Sequence, residues 1–138
     1  MPKIPDRVYI DKKDRELYNK LAEEEIFDEK TTRKEQFLFA MAVGFNNQLR
    51  LPLETREGFF LTKDLRPEDE ALMYAVAIYD EGPEILSNKE KVFKIAEEYA
   101  HGGIKILTDM VKSLPYGSFY KKLEKDLFNL YKKLEIRE

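Results

Sequence analysis

The chain has 138 residues, 43% hydrophobic and 37% charged, which suffices for one packed domain with a well-solvated surface and excludes a disordered chain. It contains no cysteine, which excludes disulfides, thiolate nucleophiles and thiolate metal sites and leads us to expect a reducing, cytoplasmic setting. A net charge of −3 argues against nucleic-acid binding by bulk charge, no apolar run approaches the roughly 18 residues of a membrane span, and Met1–Asp6 has no hydrophobic signal region.

Taken in order, Arg7-Val8-Tyr9-Ile10 alternates apolar and polar residues and predicts a short strand. Asp11 then caps a helix running to about Glu25, with Leu17 and Leu21 one turn apart on its inner face, and Ile26 and Phe27 anchor the following turn. Thr32 and Glu35 have the spacing of a capping box and open a helix over 32–46. From Phe37 to Val43 every residue is apolar, so this helix belongs at the centre of the core, with Gly44, Asn46 and Asn47 as its stop. Signals from Gln48 to Lys63 are mixed: Pro52 and Gly58 punctuate, and Gly58–Leu61 reads as either a strand or a buried loop.

Pro67 suits a first helical turn, and Glu68, Asp69 and Glu70 place negative charge at the positive end of a helix over 67–80. Its run Ala71–Tyr79 is the second all-apolar stretch, and its pairing with Phe37–Val43 is the expected heart of the core. Ala40, Ala42, Ala71, Ala75 and Ala77 would allow close approach there. Gly82-Pro83 ends that helix. Ser87 and Glu90 repeat the capping-box spacing and open another, with Val92, Phe93, Ile95, Ala96 and Tyr99; Gly102-Gly103 terminates or kinks it. Helical spacing resumes from Ile104 to Val111 and stops at Leu114-Pro115. Ser118 caps a last helix with an apolar stripe of Phe119, Leu123, Leu127, Leu130 and Leu134. The expected fold is mainly α: one domain over 1–138, a bundle of about five to six helices around the two apolar ones, a short N-terminal strand, and a candidate second strand at 58–61.

Little here points to catalysis. The single histidine, His101, sits beside Gly102-Gly103 and reads as a C-terminal dipole partner or cap. The acidic clusters Glu23-Glu24-Glu25 with Asp28-Glu29, and Glu97-Glu98, lack the ligand pattern of a calcium loop and read as solvated faces. No Gly-x-x-x-x-Gly-Lys loop exists, and Ser113 and Ser118 have no histidine close in sequence. No cofactor, metal or enzymatic activity is expected. Charge is uneven, however: residues 112–138 carry seven Lys and Arg against four Asp and Glu, a balance of +3 that leaves −6 for the remainder.

The order strand, helix, turn, capped apolar helix is also that of ribbon-helix-helix DNA-binding proteins, in which two chains pair their strands in the major groove. In that geometry Arg7 and Tyr9 would face bases, Arg33 and Lys34 near Thr32 would hold a phosphate, and Lys12 and Lys13 would complete a basic face. The strand could equally pair with Gly58–Leu61.

From Arg7 to Val111 the chain resembles the DNA phosphorothioation-associated protein 4 family, which accompanies the sulfur-modification (dnd) systems of bacteria and archaea. The residues behind this are Arg7–Asp11, Phe37–Phe45 before Leu51-Pro52-Leu53, Leu72–Ile78, and Glu97-Glu98-Tyr99-Ala100-His101-Gly102-Gly103-Ile104. The resemblance implies association with DNA modification or restriction and assigns no active-site residue. The region 115–138 lies outside it. Three readings follow: a non-catalytic accessory protein of a DNA-modification system acting through protein or DNA contacts, a dimeric ribbon-helix-helix-like regulator, or an adaptor docking through its last helix. A homodimer is compatible with all three. A contiguous positive face favours DNA, and an exposed apolar stripe on the last helix favours a protein partner.

Overall fold

The computed structural model describes residues 4–23, 27, 30–113, 125 and 127–134. Strand β1 (Arg7–Asp11) leads into helix α1 (Asp14–Glu23), followed by α2 (Arg33–Asn46), β2 (Arg56–Leu61), α3 (Pro67–Glu81) and α4 (Lys89–Ser113). Residues 127–134 form part of a further helix, α5. Short 3-10 turns at Thr62–Asp64 and Pro83–Ser87 flank α3. The fold is mainly α, and the described residues include one two-stranded sheet.

β1 and β2 pair antiparallel, with Val8 opposite Phe60 and Ile10 opposite Glu57, and the register shifts between Val8 and Tyr9. The strand read at 58–61 is therefore real, begins two residues earlier, and is the partner of β1. Alternation holds as expected: Val8 and Ile10 are buried, whereas Arg7 is exposed.

The capping box that opens α2 forms as the spacing predicts. Thr32 Oγ1 accepts the Glu35 amide, and the Glu35 carboxylate accepts the Thr32 amide. Phe37 and the whole run from Ala40 to Phe45 are buried, so α2 is the central helix. Its main neighbour is not α3. Among the described residues the most extensive helix–helix packing joins α2 to α4, and α3 buries only the face carrying Met73, Val76 and Ala77 while Ala71 and Tyr79 are exposed. Glycine explains the choice. A methyl group on Gly103 would lie 1.7 Å from the Ala40 carbonyl oxygen, and one on Gly44 would lie 2.0 Å from that of Tyr99. Backbone meets backbone at this crossing, which alanines cannot match. Gly102-Gly103 therefore neither ends nor kinks α4, which runs unbroken through it, and Gly44 is a packing residue inside α2 rather than its stop.

Two further caps differ from expectation. Ser87 and Glu90 form no capping box; the Asn88 side chain accepts the Lys91 amide, while Ser87 bonds back to the Glu84 carbonyl. Asp11 ends β1 and ties the β1–α1 turn to the segment before β2, its carboxylate accepting the amides of Lys13 and Glu54. α3 begins at Pro67 and ends at Gly82, as read. In α5, Leu130 is buried, and Leu127 and Leu134 pack on the core, so this part of the stripe closes the chain's own domain. The cap at Ser118, Phe119 and Leu123, the stop at Leu114-Pro115, and Ile26 lie outside the described residues.

Candidate functional site

Polar side chains converge on the middle of α4. Glu97 and Glu98 are buried, not solvated, and each clamps an arginine from the segment that crosses over the helix. Glu97 Oε1 accepts Arg56 Nη2 at 3.0 Å, and its Oε2 accepts the Tyr9 amide of β1 at 3.0 Å. Glu98 Oε1 accepts Arg50 Nε at 2.7 Å. Arg50 also bonds Asp80 of α3, which in turn accepts the Tyr99 hydroxyl at 2.6 Å. Burial pushes the Glu97 carboxyl up to about 7 against the opposing pull of the Tyr9 amide and Arg56. Burial, with the Asp80 carboxylate, also raises the Tyr99 phenol above its ordinary range.

One turn further on, His101 is buried rather than capping a helix end. Its Nδ1 lies 2.5 Å from Asp14 Oδ2, and its Nε2 lies 3.9 Å from Asp11. Burial raises the Asp14 carboxyl above its ordinary value although His101 pulls it down. Asp11 goes the other way: burial opposes ionisation, but the amides of Lys13, Glu54 and Thr55 and the Thr55 hydroxyl outweigh it and hold the carboxyl at about 2. Asp14 Oδ1 and the Tyr18 hydroxyl find no hydrogen-bond partner among the described residues. This cluster knits α1, β1 and α4 together, and His101 lines neither cleft described below. Among the described residues, no group of three His, Cys, Asp or Glu is placed to hold a metal ion.

Most of the residues expected to contact DNA are engaged by neighbours within the chain. Lys13 pairs with Glu54, and Lys34 pairs with Asp69 at 2.8 Å. Arg33 donates to the Phe59 carbonyl and stacks over the Phe59 ring. Lys12 is exposed in the β1–α1 turn. Arg7 lies across Gly58, and Tyr9 lies under the Arg56 guanidinium, 4.3 Å from its ring centre. Arg33 and Lys34 share a cleft of about 680 Å³ with Arg66, Phe60 and Asp64 at the N-terminus of α2.

A second cleft, of about 610 Å³, opens between α4 and the segment from Arg50 to Arg56. Arg50, Arg56, Lys91 and Lys94 line it together with Glu90, Glu97 and Glu98, with Pro52 and Leu53 as its apolar wall. Such a place can hold an anion with a small apolar body; its described lining includes no Ser, Thr, Cys or His. The sequence reading passed over this cleft, although one signal existed. Phe93, Glu97, Ala100 and Ile104 fall four, three and four residues apart, so Glu97 stands on the apolar stripe of its helix. A carboxylate there must be buried and must find a donor.

On α5, Phe128 and Tyr131 are 59% and 56% exposed, whereas Leu127, Leu130 and Leu134 of the same helix pack inward. Lys132 Nζ lies 4.8 Å from the Phe128 ring centre.

The model of one family, described as DNA sulphur modification system-associated protein 4, matches residues 7–130, so the chain belongs to that family. The match runs past Val111, where the resemblance read from sequence ended, and into α5. No curated protein and no solved structure matches the chain.

Proposed function

We propose that this member of the DNA sulphur modification system-associated protein 4 family is a non-catalytic accessory protein that works by docking onto another protein of such a system. The exposed pair Phe128 and Tyr131 carries this reading. Two large aromatics three residues apart on a helix whose other face is locked to the core form a rigid anchor of the type that dominates protein interfaces. Lys125 and Lys132 beside them, in a region of net charge +3, suit a partner whose apolar pocket is rimmed by carboxylates.

Ion pairing weighs against DNA binding by surface charge. Lys13, Arg15, Lys34 and Lys91 each have a carboxylate partner, which leaves fewer free cations to release counterions from a duplex. The ribbon-helix-helix alternative is also disfavoured. It needs an edge of β1 for a second copy, whereas β2 occupies one edge and Glu97 takes the Tyr9 amide.

The test is co-elution of the purified chain with purified proteins of a DNA sulphur modification system on a sizing column. A shared peak that is lost with Phe128→Ser/Tyr131→Ser supports the proposal; a peak that persists in the double variant, or no shared peak with any component, refutes it.

A further inference from the structure

We infer that the cleft between α4 and the segment from Arg50 to Arg56 is a phosphate-binding site, which grips its ligand through Arg50, Arg56 and Lys94. Both guanidiniums are fixed before any ligand arrives. Arg56 is held by the side chain of Glu97, which is 1% exposed, and rests on the Tyr9 ring; Arg50 is held between Glu98 and Asp80. Each arginine spends only part of its donor set on these carboxylates, Arg56 through Nη2 and Arg50 through Nε and Nη1. The other N–H groups are left for the cleft. A planar fork held in place is well matched to phosphate oxygens, and little side-chain entropy is lost when it binds.

Lys94 lies one turn before Glu97 on α4, is exposed, and has no ion-pair partner among the described residues. It adds a mobile charge to two fixed ones. Pro52 and Leu53 give the wall against which a sugar or base edge can rest, and about 610 Å³ is within the range of small-ligand pockets. Glu97 and Glu98 line the cleft as well, with Glu90, but Glu97 is taken up by Arg56 and the Tyr9 amide and Glu98 by Arg50, so a phosphate meets the guanidinium N–H groups they leave free.

A phosphate group reaches such a site on a free nucleotide or as a phosphodiester of DNA, and titration calorimetry separates the two. The probes are inorganic phosphate, a nucleoside 5′-monophosphate and a short DNA duplex, each at matched ionic strength. At least one should bind the wild-type chain and weaken about tenfold in Lys94→Ala, which touches no buried group, and in Arg56→Lys, which keeps the charge but loses the fork. Tighter binding of the monophosphate identifies a free nucleotide as the ligand, and tighter binding of the duplex identifies the DNA backbone. No heat with any probe, or equal affinity in wild type and in a Lys94→Ala chain of unchanged circular dichroism, overturns the inference.

Discussion

Glu97 is the residue whose surroundings differ most from its local sequence. Its folded carboxyl titrates at about 7 rather than the ordinary 4.5, so the fold favours its neutral form. The native state therefore holds a proton that the unfolded chain releases, and this contribution is complete below about pH 4.5 and lost as pH rises through about 7. Glu97→Gln keeps an acceptor for the Tyr9 amide and removes the titration. Chemical denaturation should show the wild type losing on the order of 3 kcal/mol between those limits from this group, and the variant losing that slope. Asp11 acts in a separate window. Its depressed carboxyl, at about 2, contributes stability above the usual aspartate range that disappears as pH falls toward 2. Neither behaviour is readable locally. Glu97-Glu98 looks like any solvated acidic pair, because the groups that bury and bond it, Tyr9, Arg56 and Arg50, are 41 to 88 residues away in sequence. His101 misleads in the same way, since its partner Asp14 is 87 residues off.

Among the elements, the crossing of α2 and α4 decides stability. Ala40 is fully buried, with its carbonyl against Gly103, so Ala40→Asp places a charge where no partner can reach it. That variant should fail to melt cooperatively, and a soluble protein with a sharp transition would show that the centre of the core lies elsewhere. Gly103→Ala is the finer probe. Alanine favours the helix by about 1 kcal/mol over glycine, yet its methyl group would meet the Ala40 carbonyl and force the helices apart. A net loss of about 3 kcal/mol is expected in urea unfolding; a gain would mean that the helices do not touch there. Sequence patterning found each of these helices because caps and apolar periods are local. It paired α2 with the wrong neighbour because apolar content says what is buried and not against what. The all-apolar run of α3 drew the eye, while the Gly102-Gly103 step, which sets how closely two backbones can approach, read as punctuation.

At the scale of the whole molecule, the surface divides into two uses. One side gathers carboxylate-held arginines around a cleft, and α5 turns two aromatic rings outward while its leucines close the core. The leucine stripe of that helix was plain in sequence, but whether it faced the chain's own core or a partner was a question of docking that no period can answer. Phe128→Ser/Tyr131→Ser should leave the melting temperature within about 2 °C of wild type, because exposed side chains contribute little to stability. The central claim, that the chain acts by docking through these rings, is tested most directly by titration calorimetry against each purified protein of a DNA sulphur modification system. Saturable binding to one of them is expected, weakened at least about tenfold by the double variant. Binding of equal strength by wild type and variant, or by none of the proteins, would contradict it.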